Sequence, residues 1–188
     1  MKTKTKLTTE ELVRQLLVNL GEDPRRPDLV RTPERVAQSL TFLTRGYAED
    51  PAAIFRDAVY PASGRDMVVM KSIELYSLFE HHLLPFWGQC HFGYIPDKHI
   101  CGASKIPRLI DHFARRLQQQ ERLTSAIAAA FIEQVKPLGV AVVIEAQHLC
   151  MMMRGVEKQN SRMQTSCMRG VFQQDQRTRA EFLSLIRP

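Results

Sequence analysis

At 188 residues, 44% hydrophobic and 24% charged, the chain has the size and composition of one domain that buries a core without disulfides or structural metal. Its four cysteines, Cys90, Cys101, Cys150 and Cys167, form no CxxC pair, which excludes a dense disulfide scaffold and points to a reducing, cytoplasmic setting. A net charge of +6 is spread along the chain without an RNA-binding aromatic pattern, so no nucleic-acid partner is expected; a polyanionic small molecule suits the surplus.

Residues 1–7 read as a loose arm. The basic start, Met1 to Lys6, runs into polar Thr8–Glu11, so no signal peptide is expected, and no apolar run reaches the roughly 18 residues of a membrane span. Thr8 with Glu11 is a capping box for a first helix, whose Leu12, Val13, Leu16, Leu17 and Leu20 share a face; Gly21 stops it. Thr32-Pro33 opens a second helix with Thr as cap, and Val36, Leu40 and Leu43 form its stripe. Residues 47–65 read as irregular, punctuated by Pro51, Pro61 and Gly64.

Met67–Met70 and Ile73–Tyr76 read as one strand, and His91–Pro96 as its antiparallel partner, with a histidine stretch at the turn between them. Gly102, Ser104 and Lys105 then lead into a helix striped by Leu109, Ile110, Phe113 and Leu117. A hydroxyl, an amine and free N–H groups at a helix start can cradle an anion, and Arg108 lies within a turn; an ordinary Ser-capped start is the plainer alternative. A further helix carries Leu123, Ile127, Ala130 and Phe131. Gly139–Ala146 is a β-branched central strand, residues 161–172 its antiparallel neighbour, and Arg177–Ile186 a closing amphipathic helix. Sheets this small leave open edges, so a closed symmetric assembly is expected.

The chemistry gathers at Glu80-His81-His82. Adjacent imidazoles can divide metal ligation and proton transfer between them, although a hydrogen-bonded core histidine beside a surface one is the plain reading of such a pair taken alone. Downstream, His148 and Cys150 add a third imidazole and a thiol, the donor types that bind zinc. The triple methionine after them reads as core filler.

In several long runs the chain resembles the GTP cyclohydrolase I family: Thr32-Pro-Glu-Arg-Val-Ala, Glu80-His-His-Leu-Leu-Pro-Phe, Gly102-Ala-Ser-Lys-Ile-Pro-Arg, Gln120-Glu-Arg-Leu and His148-Leu-Cys-Met-Met-Met-Arg-Gly-Val-Glu-Lys. The resemblance implies an α+β T-fold (tunnelling fold): an antiparallel sheet with helices packed on one face and an N-terminal helical extension. It divides the single domain into residues 1–60 and a core of 61–188. It further implies a toroidal homodecamer with sites between subunits, and conversion of GTP to 7,8-dihydroneopterin triphosphate and formate. The roles it carries over are His81 and His148 as acid/base groups, and Ser104, Lys105, Arg108 and Arg154 on the triphosphate. Gln120 and Glu121 fall on the guanine edge, and His82 and Cys150 on Zn2+.

At one position the chain departs from that family's pattern. Phe79 stands where the resemblance places the first zinc-ligand cysteine, and a phenyl ring ligates nothing. Three readings follow: Cys90, or else Cys101 or Cys167, supplies a substitute thiolate; the chain is a zinc-poor paralogue that binds GTP or pterin as a regulatory or mixed-ring subunit; or Phe79 marks an impaired enzyme.

Overall fold

The structure is a computed structural model that describes residues 6–187; residues 1–5 of the arm lie outside the described residues. By internal packing the chain divides into two units, one ending at Thr44 and one beginning at Arg45. None of the described helices is long and apolar enough to cross a membrane.

The first unit is a helix pair, α1 (Thr9–Asn19) and α2 (Thr32–Leu43). The capping box forms in both directions: the Thr8 N–H donates to the Glu11 carboxylate at 2.7 Å, and the Glu11 N–H donates to Thr8 Oγ1 at 3.2 Å. At Gly21, φ of +88° turns the chain back so that the Glu22 N–H reaches Leu17 O at 3.0 Å. Leu12, Leu16 and Leu20 of the apolar stripe stand exposed, and only Val13 is buried. Thr32 is the first helical residue of α2, not its cap. Arg31 takes that place with near-helical dihedrals and no side-chain hydrogen bond.

The second unit holds the sheet and the core. Asp50 caps α3 (Pro51–Phe55) by accepting from the Ala52 N–H, and β1 (Val59–Pro61) pairs antiparallel with β4 (His99–Cys101). The sequence therefore hid two elements between residues 47 and 65. Asp before Pro is a helix start, and β1 is too short to show a period.

Strands β2 (Val68–Phe79), β3 (Pro85–Ile95), β5 (Leu117–Gln118), β6 (Gly139–His148) and β7 (Met163–Gly170) form a sheet in the order β5-β2-β3-β6-β7. Every pairing is antiparallel except the short β2–β5 contact. Ser72, at φ +59°, lies in a bulge that breaks the β2–β3 register between Met70 and Ile73.

Helices α4 (Lys105–Ala114) and α5 (Gln120–Val135) cover one sheet face. Leu109, Ile110, Leu123, Ile127 and Phe131 meet Leu75, Phe92, Val140, Val142 and Ile144 there. Alternation turns Ala141 to the opposite face, where the short α7 (Val171–Gln174) and α8 (Gln176–Leu185) close a smaller cluster with Phe172 and Phe182. Gly93 permits this contact, since a Cβ there would stand 2.7 Å from the Phe182 ring. Gly93→Ala is therefore expected to destabilise the protein by about 1–3 kcal/mol, read as a lower urea midpoint.

His112 on α4 is buried, with Nδ1 3.4 Å from Glu49 Oε2 and Nε2 2.5 Å from an Arg116 nitrogen. Burial, and secondarily the Arg116 cation, push its pKa below the ordinary imidazole value. The unfolded chain thus takes up this proton more readily. The stability His112 contributes is complete above pH of about 6.5 and falls by up to about 1.4 kcal/mol per pH unit below it. Urea titrations from pH 7 to 5 are expected to give that slope, flattened in His112→Gln.

Candidate functional site

The site forms where β2 turns into β3. β2 ends at Phe79 and β3 begins at Pro85. The Phe79 N–H donates to Leu84 O at 2.8 Å, and the Leu83 N–H, with Leu83 at φ +56°, donates to Phe79 O at 2.8 Å. Beside the turn, the Glu80 N–H donates to Gln118 O at 3.1 Å. Arg122, in the first turn of α5, donates to the Glu80 carboxylate, to Leu117 O at 3.0 Å and to Gln118 Oε1 at 3.0 Å. That guanidinium holds the Glu80 carboxyl below the usual carboxylate range. His81 and His82 thus project from a turn braced on two sides, and Gln119 Nε2 lies 3.1 Å from His81 Nε2.

His148 arrives from the other side, because the β3–β6 register sets it opposite Phe86. The two rings stack at 4.6 Å and 5°. His148 Nε2 is 2.8 Å from Gln120 Oε1. The Gln120 amide nitrogen faces Ile144 O (3.1 Å), Met163 O (3.0 Å) and Thr165 Oγ1 (3.1 Å). Carbonyls only accept, which fixes the nitrogen on that side, so Gln120 Oε1 must accept from His148 Nε2–H. His148 is therefore the Nε2–H tautomer, and its Nδ1 lone pair is the free acceptor. Desolvation lowers its pKa, which keeps the ring neutral.

Around these groups lies a cleft of about 450 Å³ lined by Phe79, His81, His82, Glu121, His148, Cys150 and Arg154, among others. A cavity of about 490 Å³ between α8 and the opposite sheet face holds none of the His81, His82, His148 and Cys150 cluster, so the smaller cleft is the candidate site. The sequence thus named most of the lining, but three of its expectations land elsewhere. Ser104, Lys105 and Arg108, at the start of α4, are not among the lining residues, and Ser104 makes no capping hydrogen bond. The Gln120 side chain is fully buried and its amide is hydrogen-bonded within the protein, so in one chain it orients His148 and does not line the cleft. Met151 and Met153, expected as core filler, are exposed on the short α6 (Leu149–Met152) and just past it. Gln119, Arg122 and the stacking face of Phe86 had no sequence signal of their own; the β3–β6 register and the β5–α5 junction bring them in.

The substitute-thiolate reading is corrected. Cys90 is fully buried in the main core beside Ile73 and Ile144, its burial pushing the thiol well above its ordinary range. It lies four residues beyond Phe86, roughly 13 Å along the strand. Cys101 and Cys167 belong to the same apolar cluster. A catalytic zinc site draws on three protein donors. Among the described residues no group of three or more His, Cys, Asp or Glu is gathered to hold a metal. His82 and Cys150 are the two donors that the resemblance assigns to the metal, and Phe79 beside them in the cleft has no donor atom. One chain's donor set does not fit zinc.

The second unit is α+β, an antiparallel sheet with a histidine cluster at its hairpin end, and its helices lie on both faces, α4 and α5 on one and α7 and α8 on the other, rather than on one face as expected; its class is the T-fold. The sequence pattern of GTP cyclohydrolase I matches residues 9–187, and the chain belongs to the GTP cyclohydrolase I family. Among its relatives, the GTP cyclohydrolase 1 of Leptospira biflexa serovar Patoc is 56% identical over 178 residues, 95% of this chain and 97% of that one. That of Coxiella burnetii strain Dugway 5J108-111 is 54% identical over 180 residues, 96% and 98% of the two chains. The Methylococcus capsulatus protein is 56% identical over 177 residues, 94% and 96%. Among solved structures, an archaeosine synthase QueF-like protein in the apo form aligns with a TM-score of 0.47 and 14% identity over 55% of this chain and 93% of that one, too distant to carry an argument.

Gln120→Leu would leave the buried His148 Nε2–H without its acceptor and take the amide away from the Ile144 and Met163 carbonyls. It is expected to cost about 1–3 kcal/mol, read by urea unfolding, and to shift the His148 ring resonances by NMR.

Proposed function

We propose that the chain converts GTP to 7,8-dihydroneopterin triphosphate and formate, the first step toward folate and tetrahydrobiopterin-type pterins. The observation that carries this reading is that His81, His82, Glu121, His148, Cys150 and Arg154 meet around one cleft. Glu121, exposed at the start of α5, has a carboxylate that can accept two hydrogen bonds from the guanine edge. Arg154 offsets phosphate charge. His148 takes a proton on Nδ1 and returns it to the purine ring, while Gln120 keeps Nε2–H a donor throughout. His81, beside Gln119, is the second acid/base group. Zinc, the metal that the resemblance implies, has only His82 and Cys150 here, and no step is assigned to it.

Ser104, Lys105 and Arg108 fit a neighbouring copy's site, where their cations and hydroxyl would receive the triphosphate. Two features support such sharing. They stand outside their own chain's cleft, and the sheet has open edges along β7 and along β2 before Leu78. A toroidal homodecamer is the assembly read here, and the four free cysteines support a cytoplasmic setting.

Incubated with GTP, the purified protein is expected to release formate and a product that fluoresces as a pterin after oxidation. Glu121→Gln is expected to lower kcat/KM by about 10- to 150-fold. Mass photometry is expected to find the decamer, and a monomer would sink the shared site. GTP binding without formate would leave instead the zinc-poor paralogue, a binding or regulatory subunit.

A further inference from the structure

The disagreement between the donor set and zinc has a specific geometry. The Phe79 ring lies among all three imidazoles of the cleft. It meets His81 edge-on at 4.9 Å and 65°, stacks on His82 at 5.8 Å and 23°, and meets His148 edge-on at 5.6 Å and 88°. His81 and His82 are 6.4 Å apart, centroid to centroid. These are separations at which aromatic rings attract. The ring is not free to swing out of the way. Its backbone N–H and C=O close the turn against Leu84 and Leu83, and its side chain packs on the main core.

One nitrogen of His82 is also committed. Arg154 Nη1 lies 3.4 Å from His82 Nε2; a guanidinium only donates, so that nitrogen is the acceptor. The same lone pair would be needed for a metal, and a divalent ion there would face the Arg154 cation at close range. No other thiol is within the cleft, since Cys90, Cys101 and Cys167 are in the core.

We propose that Phe79 is the element that holds the three imidazoles together in this chain, and that the cleft recognises a flat heterocycle bearing an acidic tail, GTP in particular, without a metal ion. The exposed His82, stacked on Phe79, and the ring of Phe79 itself offer the apolar π surface for the heterocycle. Glu121 supplies an acceptor for its polar edge and Arg154 a cation for its tail. The inference rests on the reading of GTP as ligand, while its statement about metal stands separately.

The test uses the full-length protein dialysed against a chelator, with zinc content by elemental analysis and GTP binding by calorimetry. Wild type is expected to hold less than about one-tenth of an equivalent of zinc, whereas Phe79→Cys, which restores a third donor, is expected to take up about one. Chelation is expected to change wild-type GTP affinity by less than about twofold. Phe79→Leu keeps apolar bulk but loses the ring, and is expected to weaken GTP by about 2- to 12-fold. Added zinc is expected to leave the wild-type histidine ring resonances unmoved. One zinc per wild-type chain retained through chelation, or GTP binding lost with the metal, would overturn the proposal. If GTP binds neither form, the GTP reading fails, and unmoved histidine resonances with absent zinc would still uphold the metal-free cluster.

Discussion

Gln120, fully buried at the first turn of α5, ties the helix layer, the sheet and the site together through one amide group. Its nitrogen faces carbonyls of β6 and β7, and its oxygen accepts from His148. Thr124 Oγ1 donates to Gln120 O at 2.7 Å, which leaves Thr165 to donate to Thr124 and to accept from Gln120. Both ends of the Gln120 amide have partners, so a network that would be costly half-made becomes a rigid support. The helix cannot slide along the sheet without breaking it, and the His148 ring keeps one tautomer.

The same economy of contacts separates the histidines chemically. His148 is buried between Phe86 and Phe79, with one nitrogen occupied and one free. His81 and His82 stand exposed on the turn, held from behind by main-chain bonds and by Arg122 on Glu80. One imidazole is thus shielded and two are open, although all three surround the same phenyl ring. Burial, not residue type, assigns them different work.

Much of the architecture was legible from residue order. The capping box at Thr8, the β-branched run of β6 and the stripes of α4 and α5 are local signals, and local hydrogen bonds or periodicity realise them directly. The histidine pair at a turn between paired strands was legible for the same reason. What escaped were elements too short to show a period, β1, β4 and β5, and the partners reached only through them. Arg122 reads in sequence as one more charge on a helix face. It becomes a brace because β5 brings the start of α5 against the turn.

By itself the sequence determined the family, the α+β class and the identity of the cleft's imidazoles, thiol and carboxylate, since those depend on residue type and short spacing. Tertiary structure decided where Gln120 and Cys90 point. Strand alternation sends Cys90 into the core face, and pairing of β3 with β6 puts His148 on Phe86, so that Gln120 turns inward to it. It also decided what Phe79 does. In sequence Phe79 stands out only by the resemblance, as a residue with no donor atom beside Glu80; folded, it is a ring in contact with three histidines, because the hairpin closes on its own backbone and carries its side chain into their midst.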